Sequence, residues 1–173
     1  MRPVRLLGPL GWIVVLSVPA YAIPLQHDHP HDSQAGHQHH AQVKQRGGEA
    51  MGFDQDKTTH HFRLTPQGGV IEVQANTADD VASRDHIRQH LQEISRKFKE
   101  GDFSAPKHTH GRVPPGVQLM KARKANIDYH YEERQRGGQV VISTKDPAAL
   151  KAVHSFLRFQ IEDHRTGDST TVQ

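Results

Sequence analysis

From residue 58 onward, one pattern of side chains is laid down twice, and few architectures can accommodate it. Residues 59–64 alternate, with His60, Phe62 and Leu64 on one side, the period of a half-buried strand. Pro66-Gln67-Gly68-Gly69 is a turn signal, and Ile71 and Val73 then share a face of a second strand. Residues 79–100 switch to helical spacing, with Ile87, Leu91, Ile94 and Phe98 forming one apolar stripe and Gly101 placed to close the helix.

The order then repeats. Ile127, Tyr129 and Tyr131 alternate, Arg136-Gly137-Gly138 turns, and Val140 and Ile142 alternate again. Asp146 is a helix cap followed by Pro147 in the favoured first position, and this helix runs to about Arg165 before Thr166-Gly167-Asp168. Gly68-Gly69 aligns with Gly137-Gly138, Phe62 with Tyr131, Ile71 with Val140, Ile87 with Val153 and Leu91 with Leu157. One ββα unit buries too little to stand alone. The pattern therefore predicts an α+β domain built as a duplicated ββα unit: a four-stranded antiparallel sheet with two helices on one face. Between the halves, residues 103–120 lack periodicity and carry His108-Thr109-His110, which reads as a long loop.

Upstream of this pattern the chain changes character. Arg2 and Arg5 precede an apolar run from about Leu6 to Val18, and Ala20-Tyr21-Ala22 supplies small residues where a signal peptidase reads. The expected organisation is a signal peptide at 1–22, a disordered histidine-rich arm at 23–50, the α+β domain at 51–168 and a disordered tail at 169–173. Export implies a periplasmic or secreted protein with no membrane attachment after cleavage. Removing Arg2 and Arg5 from the 22 Lys and Arg nearly cancels the 19 Asp and Glu. A near-neutral surface has no field to attract nucleic acid. The chain has no cysteine, which excludes disulfides and thiolate metal sites.

Histidine is the anomaly of the composition, with 15 residues. The arm contains His27, His29, His31, His37, His39 and His40, often in His-x-His spacing. Neutral imidazoles at that spacing suit zinc or copper(II). In the domain, His60 should face the helices while His61 and His130 face away. His90 flanks the stripe of the first helix one turn after His86. On the second helix Leu150, His154, Leu157, Ile161 and His164 fall on one stripe, so His154 and His164 are expected to point inward. His60, His90 and His154 are the three expected to converge; His61 and His164 are further candidate ligands. His154 and His164 lie too far apart along the helix to share one ion. Templates for enzymes are missing: there is no G-x-S-x-G, no Gly-rich phosphate loop and no H-E-x-x-H.

The segments MGFDQDKTTHHF (residues 51–62), PPGV (residues 114–117) and HSFLRFQIEDHRTGD (residues 154–168) resemble a family of small bacterial proteins often labelled aspartate carbamoyltransferase. The resemblance implies a shared fold over residues 51–168 and importance for His60, His61, His154 and His164. Carbamoyltransferase activity is not expected, because the Ser-Thr-Arg-Thr type phosphate loop is missing and the chain is about half the required length. The expected function is capture of zinc or copper(II) through histidines, as a buffer, chaperone or sensor component, with the metal ion and another periplasmic protein as partners. The alternatives are a non-enzymatic interaction or ligand-binding module with structural histidines, and a small His/Asp enzyme.

Overall fold

The computed structural model describes residues 31–173, with side chains from Gly36 onward. Helix α1 (His31–Met51) is followed by a 3-10 turn (Gln55–Lys57), strands β1 (Thr58–Thr65) and β2 (Gly68–Ala75), and helix α2 (Val81–Glu100). Two short helices, α3 (Ser104–His110) and α4 (Val117–Ala122), lead through a second 3-10 turn (Lys124–Asn126) into β3 (Ile127–Arg134), β4 (Gly137–Thr144) and helix α5 (Pro147–His164). The expected α+β architecture is what forms: a four-stranded antiparallel sheet in the order β1-β2-β4-β3.

The register of the central pair explains how the two ββα units meet. Gly69 faces Ile142 and, reciprocally, Val73 faces Gly138, so the halves are related by a pseudo-twofold axis between β2 and β4. Close approach demands glycine here. A Cβ on Gly69 would strike the Leu157 side chain and the Arg63 carbonyl, and one on Gly137 would strike the Val73 carbonyl. Phe62, Leu64, Ile71, Val73, Ile127, Tyr129, Val140 and Ile142 pack in one core with Ile87, Leu91, Ile94 and Phe98 of α2 and Val153, Phe156, Leu157 and Ile161 of α5. Alternate strand residues thus carry the core against both helices.

Local chemistry fixes the helix ends. The Asp80 side chain accepts from Ser83 N, and Gly101 closes α2 in the left-handed region at φ 84°. Asp146 accepts from Ala148 N and Ala149 N ahead of Pro147, which satisfies otherwise orphaned donors. Helix α5 stops at Arg165, itself left-handed at φ 55°, so His164 occupies its final turn.

Three expectations are corrected. The arm is not disordered over its described part, since residues 31–51 form α1. Two apolar seats and several polar ties hold it: Val43 is buried, Met51 packs against the core, Arg46 Nε donates to Thr109 O at 3.0 Å, Gln55 Nε2 donates to Lys44 O at 2.6 Å, and Lys44 pairs with Asp56. A polar segment orders when the folded body supplies partners for it. The tail is not free either, because Gln173 N donates to Leu64 O at 3.0 Å and Arg158 Nε donates to Thr170 O at 2.9 Å. The connector contains α3 and α4, too short for a periodic signature. The expected signal peptide and the arm up to residue 30, including His27 and His29, lie outside the described residues, as does the side chain of His31.

Candidate functional site

Where β1, α1, α3 and the end of α5 come together, histidines gather from four elements. His60 points inward from β1, as strand alternation requires. His164 reaches it from the last turn of α5, with ring centroids 5.6 Å apart and planes 9° from parallel. His110, at the end of α3, meets His164 edge-on at 5.0 Å. His40 projects from α1 and shares a crevice with His60, His164 and Thr166. His90 of α2 stands beyond Phe53, whose ring lies 5.8 Å from His90 and 6.1 Å from His60.

Most of this cluster is held electrically neutral. Burial, reinforced by His90 and His61, lowers the His60 pKa to about 4. Burial also lowers His90 to about 4, against an opposing pull from Glu93. His164 is pushed well below its usual value by burial and then by His60 and His110. Desolvation disfavours the imidazolium, and the neutral ring is the form that can bind a metal. His60 Nε2 and His40 Nδ1 are buried and have no hydrogen-bond partner among the described residues. Such orphans are rare in folded proteins and call for an explanation.

Behind His164 lies a carboxylate hub. Asp163 accepts from His110 Nδ1 at 2.6 Å and from His39 Nε2 at 2.9 Å, and Arg112 stands 3.6 Å away. Burial alone would raise the Asp163 carboxyl, but the bonds from His110 and His39 more than offset it and hold it below the ordinary range. The other ring nitrogen of His110 lies 2.9 Å from Gln160 Oε1. Gln160 is buried, and its amide nitrogen has no partner. An inner chamber of about 60 Å³ opens between these groups, lined by His60, His90, His110, Gln160, His164 and Met51 against apolar core residues. That volume suits an ion or a few waters and excludes an organic substrate.

The expected trio does not assemble. His60 and His90 both line the chamber, but His154 lies on the flank of α5 and donates from Nε2 to Thr65 O at 2.9 Å. The buried stripe of α5 runs through Val153, Phe156, Leu157 and Gln160, rotated from the expected one, which turns His154 aside. His61 faces away from the core and pairs with Asp168 at 2.9 Å. His37 is exposed, and His39 is engaged by Asp163. Sequence reasoning missed the roles of His110 and Gln160. Gln160 was detectable in principle, since the repeat aligns it with buried Ile94. Among the described residues, no three His, Asp or Glu donors already stand in a metal-holding arrangement. No family model, curated protein or solved structure matches this chain.

Proposed function

We propose that this domain binds a divalent transition metal, zinc or copper(II), through His40, His60 and His164. The carrying observation is the pair of buried, partnerless nitrogens, His60 Nε2 and His40 Nδ1, on one crevice shared with His164. Burial that disfavours protons on His60 and His164 removes the main competitor for a cation near neutral pH. The reading requires rotation about the side-chain torsions to bring the three nitrogens onto one ion. The upstream histidines would collect ions, and the protein would act as an exported buffer, chaperone or sensor component.

Asp163–His110 also has the form of an acid–base dyad, the observation that favours a small hydrolase. Gln160 occupies the outward nitrogen of that dyad and the chamber is too small for a substrate, so metal binding is the preferred reading.

The test is calorimetric titration of the full chain with Zn²⁺, prepared without a nickel column. One tight site should survive replacement of His27, His29, His31 and His37 by Asn, and should vanish in the double variant His60→Tyr, His164→Phe. Uptake that follows the arm and ignores the double variant would contradict the proposal.

A further inference from the structure

The sheet has two edge strands, β1 and β3, and the chain treats them differently. Ladder hydrogen bonds alternate along an antiparallel strand, so the register fixes which backbone groups point outward. Ala75 N donates to Arg136 O and Thr144 N to Gln67 O, which sets the even-numbered residues of β4 against β2. The odd-numbered residues of β4 therefore bond to even-numbered residues of β3. The N–H and C=O groups of Tyr129, Tyr131 and Glu133 are left facing out. On β1 the same alternation leaves Phe62 and Leu64 facing out, and there the tail closes the edge. Phe62 N donates to Asp168 Oδ2 at 2.9 Å, and Leu64 O accepts from Gln173 N at 3.0 Å. On β3, Ser95 Oγ takes one lone pair of Tyr129 O at 3.0 Å and leaves the other. Tyr131 and Glu133 have no partner for their outward backbone groups among the described residues.

The side chains of this open edge are complementary to themselves. Asp128, His130, Glu132 and Arg134 lie on the sheet face away from the core, since Ile127 and Tyr129 between them are buried. Arg134 Nη2 donates to Glu132 Oε2 at 3.0 Å within the strand, whereas Asp128 and His130 are exposed. Two β3 strands laid antiparallel about Tyr131 set Asp128 opposite Arg134 and His130 opposite Glu132 of the other copy. The same register pairs the outward groups of Tyr131 with each other and those of Tyr129 with Glu133. Moving the centre back to His130 sets Asp128 against Glu132, and moving it on to Glu132 sets that carboxylate against itself. Charges on an edge strand commonly keep sheets apart; in the register centred on Tyr131 they attract.

We propose that β3 pairs with β3 of a second copy of this chain, antiparallel about Tyr131, so that one sheet continues through both copies and the Asp128–Arg134 and His130–Glu132 pairs select the register. The contact lies at the opposite edge from His60 on β1 and does not depend on metal.

The experiment is sedimentation equilibrium of the full chain in buffer containing EDTA. The parent should associate reversibly to a dimer. Asp128→Arg and Arg134→Asp should each raise the dissociation constant about tenfold, because each reversal spoils two symmetry-related pairs. The variant carrying both reversals should return to within about threefold of the parent. Glu133→Pro removes an outward N–H without breaking the β3–β4 ladder and should be monomeric, and thermal melts report that each variant keeps its fold. A parent that stays monomeric, association that neither single reversal weakens, or a double reversal as weak as the single ones overturns the proposal.

Discussion

The pseudo-twofold axis places two side-chain clusters in equivalent positions, and their chemistry differs. His60 faces Val73 across β1–β2 as Tyr129 faces Ile142 across β3–β4. The alignment that pairs Leu91 with Leu157 also pairs Phe98 with His164 and His90 with Phe156. At one pole Phe98 meets Tyr129 at 5.7 Å and Phe156 at 5.9 Å. At the other, His164 meets His60 at 5.6 Å. Flat rings fill the sheet–helix angle at both poles, phenyl and phenol at the first and imidazole at the second. Imidazole at the second is therefore not a packing requirement. It adds buried nitrogens that have no partner among the described residues, at a cost in desolvation that the proposed ion would offset. Tyr129 and Tyr131 also have unpaired hydroxyls, so the aromatic pole carries two orphans of its own, phenols and not ring nitrogens.

Substitutions that treat the poles alike should break the equivalence most visibly. Phe98→Ala or Phe156→Ala removes a buried ring and should cost about 3–5 kcal/mol in denaturant unfolding. The double variant His60→Tyr, His164→Phe imports the aromatic pole's chemistry and should fold at least as stably as the parent while losing metal binding. A collapse as large as that of Phe98→Ala would mean the imidazoles are structural.

Acid should separate the poles next. Unfolded histidine titrates near 6.5, whereas folded His60 and His90 titrate at about 4. Between those values the unfolded chain binds protons that the folded one refuses. Stability is thus fully present above about pH 6.5 and falls as pH drops toward 4, by roughly 3 kcal/mol for each of the two groups. His60→Tyr should remove its share of that slope in pH-dependent unfolding, and Phe98→Leu should leave the slope unchanged.

A smaller effect is expected behind the site. Asp163→Asn weakens the bonds to His110 and His39 and should cost about 1–3 kcal/mol by thermal melting, while loosening α1. Replacing His27, His29, His31 and His37 by Asn should change stability by less than about 0.5 kcal/mol.

The sheet and its two long helices were legible because alternation, paired glycines and a four-residue stripe are local signals, and because each occurs twice. Helix α1 was not legible. Its order rests on Val43 and Met51 and on polar partners distant in sequence, such as Asp163 for His39. The site was half legible. Strand alternation predicted that His60 faces inward and that His61 faces out. His154 was misassigned because a helical stripe is read to within about one residue, and the buried face of α5 lies one position away. His110 sat in a segment without periodicity, so nothing local tied it to Asp163.

The most direct test is anomalous diffraction at the zinc edge from crystals of the full chain grown with one equivalent of Zn²⁺. A single peak bonded to His60 Nε2, with His40 and His164 completing the contact, is the predicted result. Zinc found only among the upstream histidines, with the His60 ring unchanged and unligated, would contradict the account.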